Sequence, residues 1–341
     1  MQQLRITRII TETNDAKTFV LQPFNGDELV YKAGQFLTLV FQTPFGEKRR
    51  SYSFSSSPVI NELPAITIKK VENGEFSRIL LDHTAEGEIL YTSGISGFFQ
   101  LPEDPGNTEQ FFFLAAGSGI TPCFSLVKTL LTSTDKPVVL IYSNRQKADT
   151  IFYNQLLTLK QQYPQQFIIR FLFSNTPDVY NSRLSNWLLQ QLLMQYLTTE
   201  KSKAVFYLCG PFEYMRTISI TLLNEGVPLQ NIRKENFSSL PRIIKPEPPD
   251  KNLHAVTIHF QNKVQHIDVQ YPNTILAAAK TAHIDIPFSC EAGRCGSCAA
   301  TCIKGKVWMA YNEVLMDDEI AKGRILCCQA YPVGGDVEIV V

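Results

Sequence analysis

The chain has little that would suit a membrane or a polyanion. Its 32 Lys and Arg equal its 32 Asp and Glu, so no global basic field points to nucleic acid or an anionic lipid surface. No apolar run exceeds six residues, as in FFFLAA at 111–116, far short of the ~20 a spanning helix requires. The opening MQQLRITRII alternates like a strand and lacks the apolar core and small-residue cleavage site of a signal peptide. Tryptophan occurs twice and histidine five times. The histidines, at 83, 254, 259, 266 and 283, are scattered, and neither a nucleophilic triad nor a general acid stands out. These absences leave a soluble, cytoplasmic chain. Its 341 residues are too many for one core and enough for two or three.

What is present is unevenly placed. Of eight cysteines, Cys123 and Cys209 stand alone, while Cys290, Cys295, Cys298, Cys302, Cys327 and Cys328 crowd the end of the chain. In a reducing compartment such crowding points to metal before disulfide.

The hydrophobic pattern divides the chain into modules. Short alternating stretches at 4–10, 18–21, 36–41, 51–55, 66–71 and 89–91, separated by Gly and Pro turns, predict an antiparallel β-barrel over residues 1–103, with a helix near 76–83. From 108 to 238 continuous apolar runs (111–116, 138–143, 168–174, 204–209) alternate with helical periodicity. That is the pattern of a doubly wound α/β domain with a parallel sheet. Residues 239–252 include PRIIKPEPPD, whose four prolines predict a stiff linker. From 253 to 341 a hairpin (254–260 and 264–269), a small helix (274–283) and a closing strand (336–341) surround the cysteines.

Three motifs carry chemistry. Cys290, Cys295 and Cys298 form C-x4-C-x2-C in a Gly- and Ser-rich loop, with a further thiol some thirty residues on. Zinc sites usually come as two short-spaced pairs, whereas three thiols in one loop with a distant fourth suit an iron–sulfur cluster. Cys302, Cys327 and Cys328 compete for the fourth place. Cys327 and Cys328, read as neighbours in a strand over 324–330, would point to opposite faces, so that only one of them ligates. Gly117-Ser118-Gly119-Ile120-Thr121-Pro122 follows a buried strand and opens a helix, a setting that suits a pyrophosphate. Arg50-Ser51-Tyr52-Ser53 offers a cation, a flat phenol and a hydroxyl along one strand.

Taken in order, R-x-Y-S, G-x-G-x-x-P, Cys209-Gly210-Pro211 and the cysteine motif resemble the ferredoxin–NADP reductase superfamily. Over essentially the whole chain the module order resembles the reductase components of bacterial oxygenases, those of phenylacetyl-CoA epoxidase and ketosteroid hydroxylase among them, with a C-terminal plant-type ferredoxin domain of β-grasp fold. The resemblance implies FAD, a [2Fe–2S] cluster and NADPH or NADH as cofactors. It implies that Arg50 meets a flavin phosphate, that Tyr52 packs on the isoalloxazine and that Ser53 lies near flavin N5. Gly74 and Ser77 would hold the pyrophosphate, and Gly94, Gly97 and Phe99 the adenosine half. Ile95 stands where the family has Pro, which bears on FAD against FMN. Gly117, Gly119, Thr121 and Pro122 would bind the pyridine nucleotide's pyrophosphate. Cys209, Gly210 and Pro211 would face the nicotinamide, Phe237 would cover the flavin, and Ser174 with Arg183 would meet a 2′-phosphate. In GRILCCQAYP the ligand Cys precedes Gln in the family signature, which selects Cys328 as the fourth ligand.

A hydride carries two electrons and a [2Fe–2S] cluster takes one, so the resemblance implies a flavin between them. It further implies an oxygenase, hydroxylase or desaturase as electron acceptor. A stand-alone diaphorase and a non-enzymatic redox sensor are the rival readings. The last module carries nine acidic and seven basic residues, with Asp317-Asp318-Glu319 concentrated enough to steer a basic partner.

Overall fold

The computed structural model describes residues 1–44, 46–72, 74–102, 105–237 and 246–341. Residues 238–245, which include the first half of the expected linker and one of its four prolines, lie outside the described residues. The chain divides into two compact units, one of Met1–Gly46, Ser51–Ile95 and Phe99–Asn236, the other of Glu47–Arg50, Ser96–Phe98 and Phe237–Val341. No helix among the described residues is long and apolar enough to cross a membrane.

The chain begins with strands β1 (Gln2–Thr13), β2 (Ala16–Pro23), β3 (Phe36–Thr43), β4 (Gly46–Ser53), β5 (Ala65–Lys69) and β6 (Ile89–Ser96), in the order β4-β3-β6-β1-β2-β5. The β1–β2, β1–β6 and β2–β5 pairs are antiparallel. An antiparallel bridge from Phe54, just past β4, to Ile66 in β5 joins the two edges into a barrel. Period-2 alternation sends Leu4, Ile6, Phe19, Leu21, Leu37 and Leu39 inward with Phe54 and Ile66. Helix α1 (Glu75–His83) buries Phe76, Ser77, Leu80 and Leu81.

The first unit continues with β7 (Gln110–Ala116), α2 (Ile120–Ser133), β8 (Val138–Asn144), α3 (Tyr153–Gln162), β9 (Phe167–Phe173), α4 (Asn186–Tyr196), β10 (Ala204–Cys209), α5 (Phe212–Asn224) and β11 (Ile232–Glu235). All strand pairs are parallel, in the order β11-β10-β7-β8-β9. The FFFLAA run follows from this layout. Phe111, Phe113 and Ala115 pack with α2 and α3 on one face, and Phe112 and Leu114 with α4 and α5 on the other. Strand order reverses between β7 and β10, which opens a crevice at the carboxyl ends of these two strands.

The barrel is bolted to α2. Ser125 Oγ donates to Ser56 O at 2.6 Å, Ser57 and Thr129 hydroxyls meet at 2.8 Å, and Lys128 pairs with Glu62. Burial lowers the Lys128 pKa, against the pull of Glu62, so this cation depends on its partner.

In the second unit β12 (His254–Phe260) and β13 (Lys263–Val269) form an antiparallel hairpin turned at Gln261 and Asn262, both with positive φ. Helix α6 (Ile275–Thr281), capped by the Thr274 hydroxyl, packs Ile275, Leu276 and Ala279 into the core beside this hairpin. Then follow β14 (Ala299–Lys304), β15 (Val307–Met309), α7 (Asp317–Ala321), β16 (Arg324–Leu326), β17 (Ala330–Pro332) and β18 (Val337–Val340). The main sheet is mixed, ordered β13-β12-β18-β14-β16, and β15 pairs with β17 apart from it. The strand expected over 324–330 is therefore two strands in two ladders. Cys327, Cys328 and Gln329 form the turn between them, fixed by Cys327 N–H to Cys298 O (3.0 Å) and Gln329 N–H to Leu326 O (2.9 Å). Opposite-face alternation thus does not separate Cys327 from Cys328.

Candidate functional site

The barrel presents the first group of residues. Tyr52 is half-buried on β4, and Ser53 ends the strand with its Oγ buried and, among the described residues, without a hydrogen-bond partner. A buried orphan hydroxyl costs free energy unless a ligand satisfies it, so Ser53 fits a flavin edge bearing polar atoms. Gly74 caps α1. A Cβ there would stand 2.7 Å from Ser77 Oγ and 2.8 Å from Val71 Cβ, so only glycine fits. Ser77 Oγ accepts the Val71 N–H at 3.1 Å, which ties this turn to the helix start. Gly94 has φ +126° with open space where a side chain would be, a surface that a ligand's bulk can approach. Phe99 is buried, with its ring edge-on to Tyr207 at 5.2 Å, so it anchors its stretch from beneath. Arg50 (exposed on β4), Gly97 and Phe237 (47% exposed) fall in the second unit.

The carboxyl edge of the parallel sheet gathers the second group. Gly117 follows β7 with φ +54°, and its carbonyl accepts the Tyr142 hydroxyl at 2.9 Å. Thr121 Oγ1 donates to Ser118 O at 2.9 Å, and Pro122 sits in the first turn of α2, where its missing N–H costs nothing. Gly119 is the closest approach. A Cβ there would lie 2.0 Å from Cys209 O, so this turn and the end of β10 touch backbone to backbone. A Cβ at Gly210 would meet Ala116 Cβ and the Tyr214 ring at 3.0 Å, a milder crowding, and Pro211 is exposed. Cys209 is fully buried, and that burial pushes its thiol well above its ordinary value. It is a neutral packing surface, with none of the thiolate character of a nucleophile. Ser174 lies just past β9, its N–H on Asn144 O at 3.0 Å. Arg183 is exposed and lines a separate 350 Å³ surface cavity with Tyr180, Ser182, Ser185 and Trp187; Ser174 is not part of that lining.

One residue here escaped the sequence reading. Glu235 ends β11 in register with Cys209, and burial alone pushes its carboxyl up to about 8. It is therefore largely protonated at neutral pH, a hydrogen-bond donor beside Cys209. The signal lay in KENFSS, where an acid occupies a strand position two residues before Phe237.

The third group is the cysteine loop. Its thiols fall into two pairs by mutual influence, the Cys295 thiol being the main cause of the shift at Cys290 and the Cys328 thiol of that at Cys298. Among the described residues, no three His, Cys, Asp or Glu side chains stand where they could hold one metal ion. Two thiols for each of two irons is the donor set of a [2Fe–2S] cluster, and the pairing fits it. The Cys295 thiol, with the N–H groups of Ala292, Arg294 and Cys295, pulls Cys290 down to about 6 against its burial. Cys328 N–H reaches Cys298 Sγ at 3.5 Å. Gln329 Nε2 donates to Glu291 O at 3.1 Å and lies 3.9 Å from Cys328 Sγ, tying the distant cysteine to the loop. Cys327 is completely buried, which pushes its thiol up, and the Cys302 thiol turns away to Lys304 O at 3.4 Å.

Comparison with known proteins finds three domain families along the chain. Residues 3–101 match the oxidoreductase FAD-binding domain, 113–219 the oxidoreductase NAD-binding domain, and 258–333 the 2Fe-2S iron-sulfur cluster binding domain. The chain is 31% identical to the ferredoxin reductase component of 3-ketosteroid-9-alpha-monooxygenase from Rhodococcus rhodochrous, over 98% of this chain and 95% of that one. It is 30% identical to one of the subunits of 1,2-phenylacetyl-CoA epoxidase from Escherichia coli K12, over 98% and 96%. Phthalate dioxygenase reductase shares the fold at a TM-score of 0.61, with 23% identity over 99% of this chain and 97% of that one. With three family matches in the expected order and full-length similarity on this scale, the chain belongs to the ferredoxin reductase components, oxidoreductases that bind FAD, NAD and a 2Fe-2S cluster.

Proposed function

We propose that the chain takes hydride from NAD(P)H and delivers single electrons to a separate oxygenase, hydroxylase or desaturase. The observation that carries this reading is the union in one chain of a two-electron site, where Gly119 meets Cys209, and a one-electron site of two thiol pairs. FAD and the cluster, when bound, supply the conversion of one hydride into two single-electron transfers. Relatives named for a monooxygenase and an epoxidase support an oxygenase as acceptor. Eight free cysteines support a cytoplasmic location. The modules in this reading are 1–103, 108–238 and 253–341, with 239–252 as linker.

The chain's residues bind, orient and shield. Gly117, Gly119, Thr121 and Pro122 bring the N–H groups and positive end of α2 to the nucleotide pyrophosphate. Cys209, Gly210 and Pro211 form the neutral floor under the nicotinamide, where Glu235 holds a proton. Tyr52 and Phe237 would supply faces for the isoalloxazine, and the unpartnered Ser53 Oγ would lie near its N5. Arg50, Gly74 and Ser77 take the flavin phosphates, and Gly94 and Gly97, braced by Phe99, take the adenosine half. Ser174, just past β9, would meet a 2′-phosphate of NADPH, whereas Arg183 lines a separate cavity without it, so the choice between NADPH and NADH rests on titration. Cys290, Cys295, Cys298 and Cys328 hold the irons.

Anaerobic titration of the purified protein with NADPH and with NADH tests the whole reading. Flavin and cluster absorption should bleach in sequence, with two electrons entering per nucleotide. A colourless protein, or one carrying zinc in place of iron, would overturn it.

A further inference from the structure

The cluster loop contains a cation that none of the assigned roles uses. Arg294 directly precedes Cys295, and its Nε lies 3.4 Å from Glu313 Oε2, with the two side chains 14% and 22% exposed. The segment that carries Glu313 is held firmly. Glu313 N–H donates to Gly293 O at 3.0 Å. Gly293 has φ +72°, and a Cβ there would come within 2.9 Å of Tyr311 O, so the loop presses on the segment that carries Glu313. Asn312 stiffens that segment, its Oδ1 accepting the Val314 and Leu315 N–H groups at 3.1 and 2.8 Å. The Arg294 guanidinium also stands 5.9 Å from the centre of the Tyr311 ring. A second ion pair that reaches this loop, Lys280 on α6 with Glu291 at 3.1 Å, is a useful contrast, because its side chains are 42% and 49% exposed.

We propose that the Arg294–Glu313 pair sets the reduction potential of the cluster, Arg294 raising it and Glu313 offsetting that rise. A cluster held by four thiolates is anionic and becomes one unit more negative on reduction. A fixed cation beside it therefore favours the reduced form, and a fixed anion the oxidised form. Burial keeps solvent from screening the pair, as it screens Lys280 and Glu291. The two residues are positioning residues, acting on the cluster through charge. The inference rests on the assignment of a [2Fe–2S] cluster to this loop.

The test is an EPR-monitored redox titration of the full flavin- and iron-loaded protein, with iron and spin counted per chain. E313Q should shift the cluster midpoint upward, R294M downward, and the double variant should return to the parent value. K280Q should shift it less than E313Q. A parent midpoint in E313Q with full cluster content would overturn the proposal. So would shifts of R294M and E313Q in the same direction, or a K280Q shift as large as that of E313Q. If R294M loses the cluster, R294K, which retains the charge, should titrate at the parent value, and a clear shift there would count against the proposal. Absence of any cluster in the parent protein would remove the cofactor assignment itself, a result distinct from a loaded cluster whose potential does not move.

Discussion

Gly119→Ala is the sharpest probe of the two-electron site. Its Cβ would stand 2.0 Å from Cys209 O, 2.4 Å from Cys209 C and 2.9 Å from Gly210 N. All three are backbone atoms, so no side chain can swing aside. Ordinary contact requires the start of α2 and the end of β10 to separate by at least roughly 1 Å, a displacement that can cost ~10²-fold when it falls between reacting groups. Overpacking of this kind destabilises by about 1–3 kcal/mol. We expect anaerobic stopped-flow reduction of the flavin by NADPH or NADH to slow by about 10²-fold. Flavin and cluster absorption should stay intact, and dithionite should reduce both normally. Gly226→Ala, past the end of α5 and outside the nucleotide turn, is the control. Its φ of +82° imposes about 1–2 kcal/mol of strain on alanine, but nothing stands within 4 Å of the new Cβ. It should lower Tm while leaving hydride transfer much closer to the parent. Parent-like hydride transfer and Tm in Gly119→Ala would show that this contact does not align the nucleotide.

Three other outcomes are expected. Ser53→Ala removes a buried hydroxyl with no protein partner among the described residues, so Tm should hold or rise while flavin reduction slows by roughly 10–10²-fold; unchanged reduction kinetics would remove Ser53 from the flavin edge. Glu235 is raised from 4.5 to about 8, so the folded state binds its proton more tightly and stability is fully present below about 4.5 and lost as pH rises through about 8. Glu235→Gln should flatten that slope by on the order of a few kcal/mol, read as Tm against pH between 4.5 and 8; an unaltered slope would assign it elsewhere. Cys328→Ser should lose or badly bleach the cluster absorption while Cys327→Ser keeps it, and the reverse result would exchange the two assignments.

Much of this architecture is legible in the residue order because local physics determines it. The run FFFLAA reads as a strand covered on both faces, and its alternate residues do enter two separate cores. The spacing of Cys290, Cys295 and Cys298 reads as one loop because three thiols so close in the chain have little choice. The turn at Cys327–Gln329 was not legible. RILCCQA is a good strand sequence, and it breaks only because its two ends join different ladders. Glu235 was missed for a related reason. Its significance comes from parallel register with Cys209, a neighbour made by the sheet and invisible in a one-dimensional pattern. The Arg294–Glu313 pair spans the loop and a later turn in the same way.

The joint between the barrel and α2 has a consequence for how the protein must work. Ser53 lies a few residues from Ser56 and Ser57, which are fastened to Ser125 and Thr129, and the helix bearing those two residues begins immediately after Gly119. On the proposed reading, Ser53 and the Gly119 turn, which would hold the acceptor and donor of the hydride, are thus mounted on one beam, and a substitution that loosens the beam should upset distance and angle together.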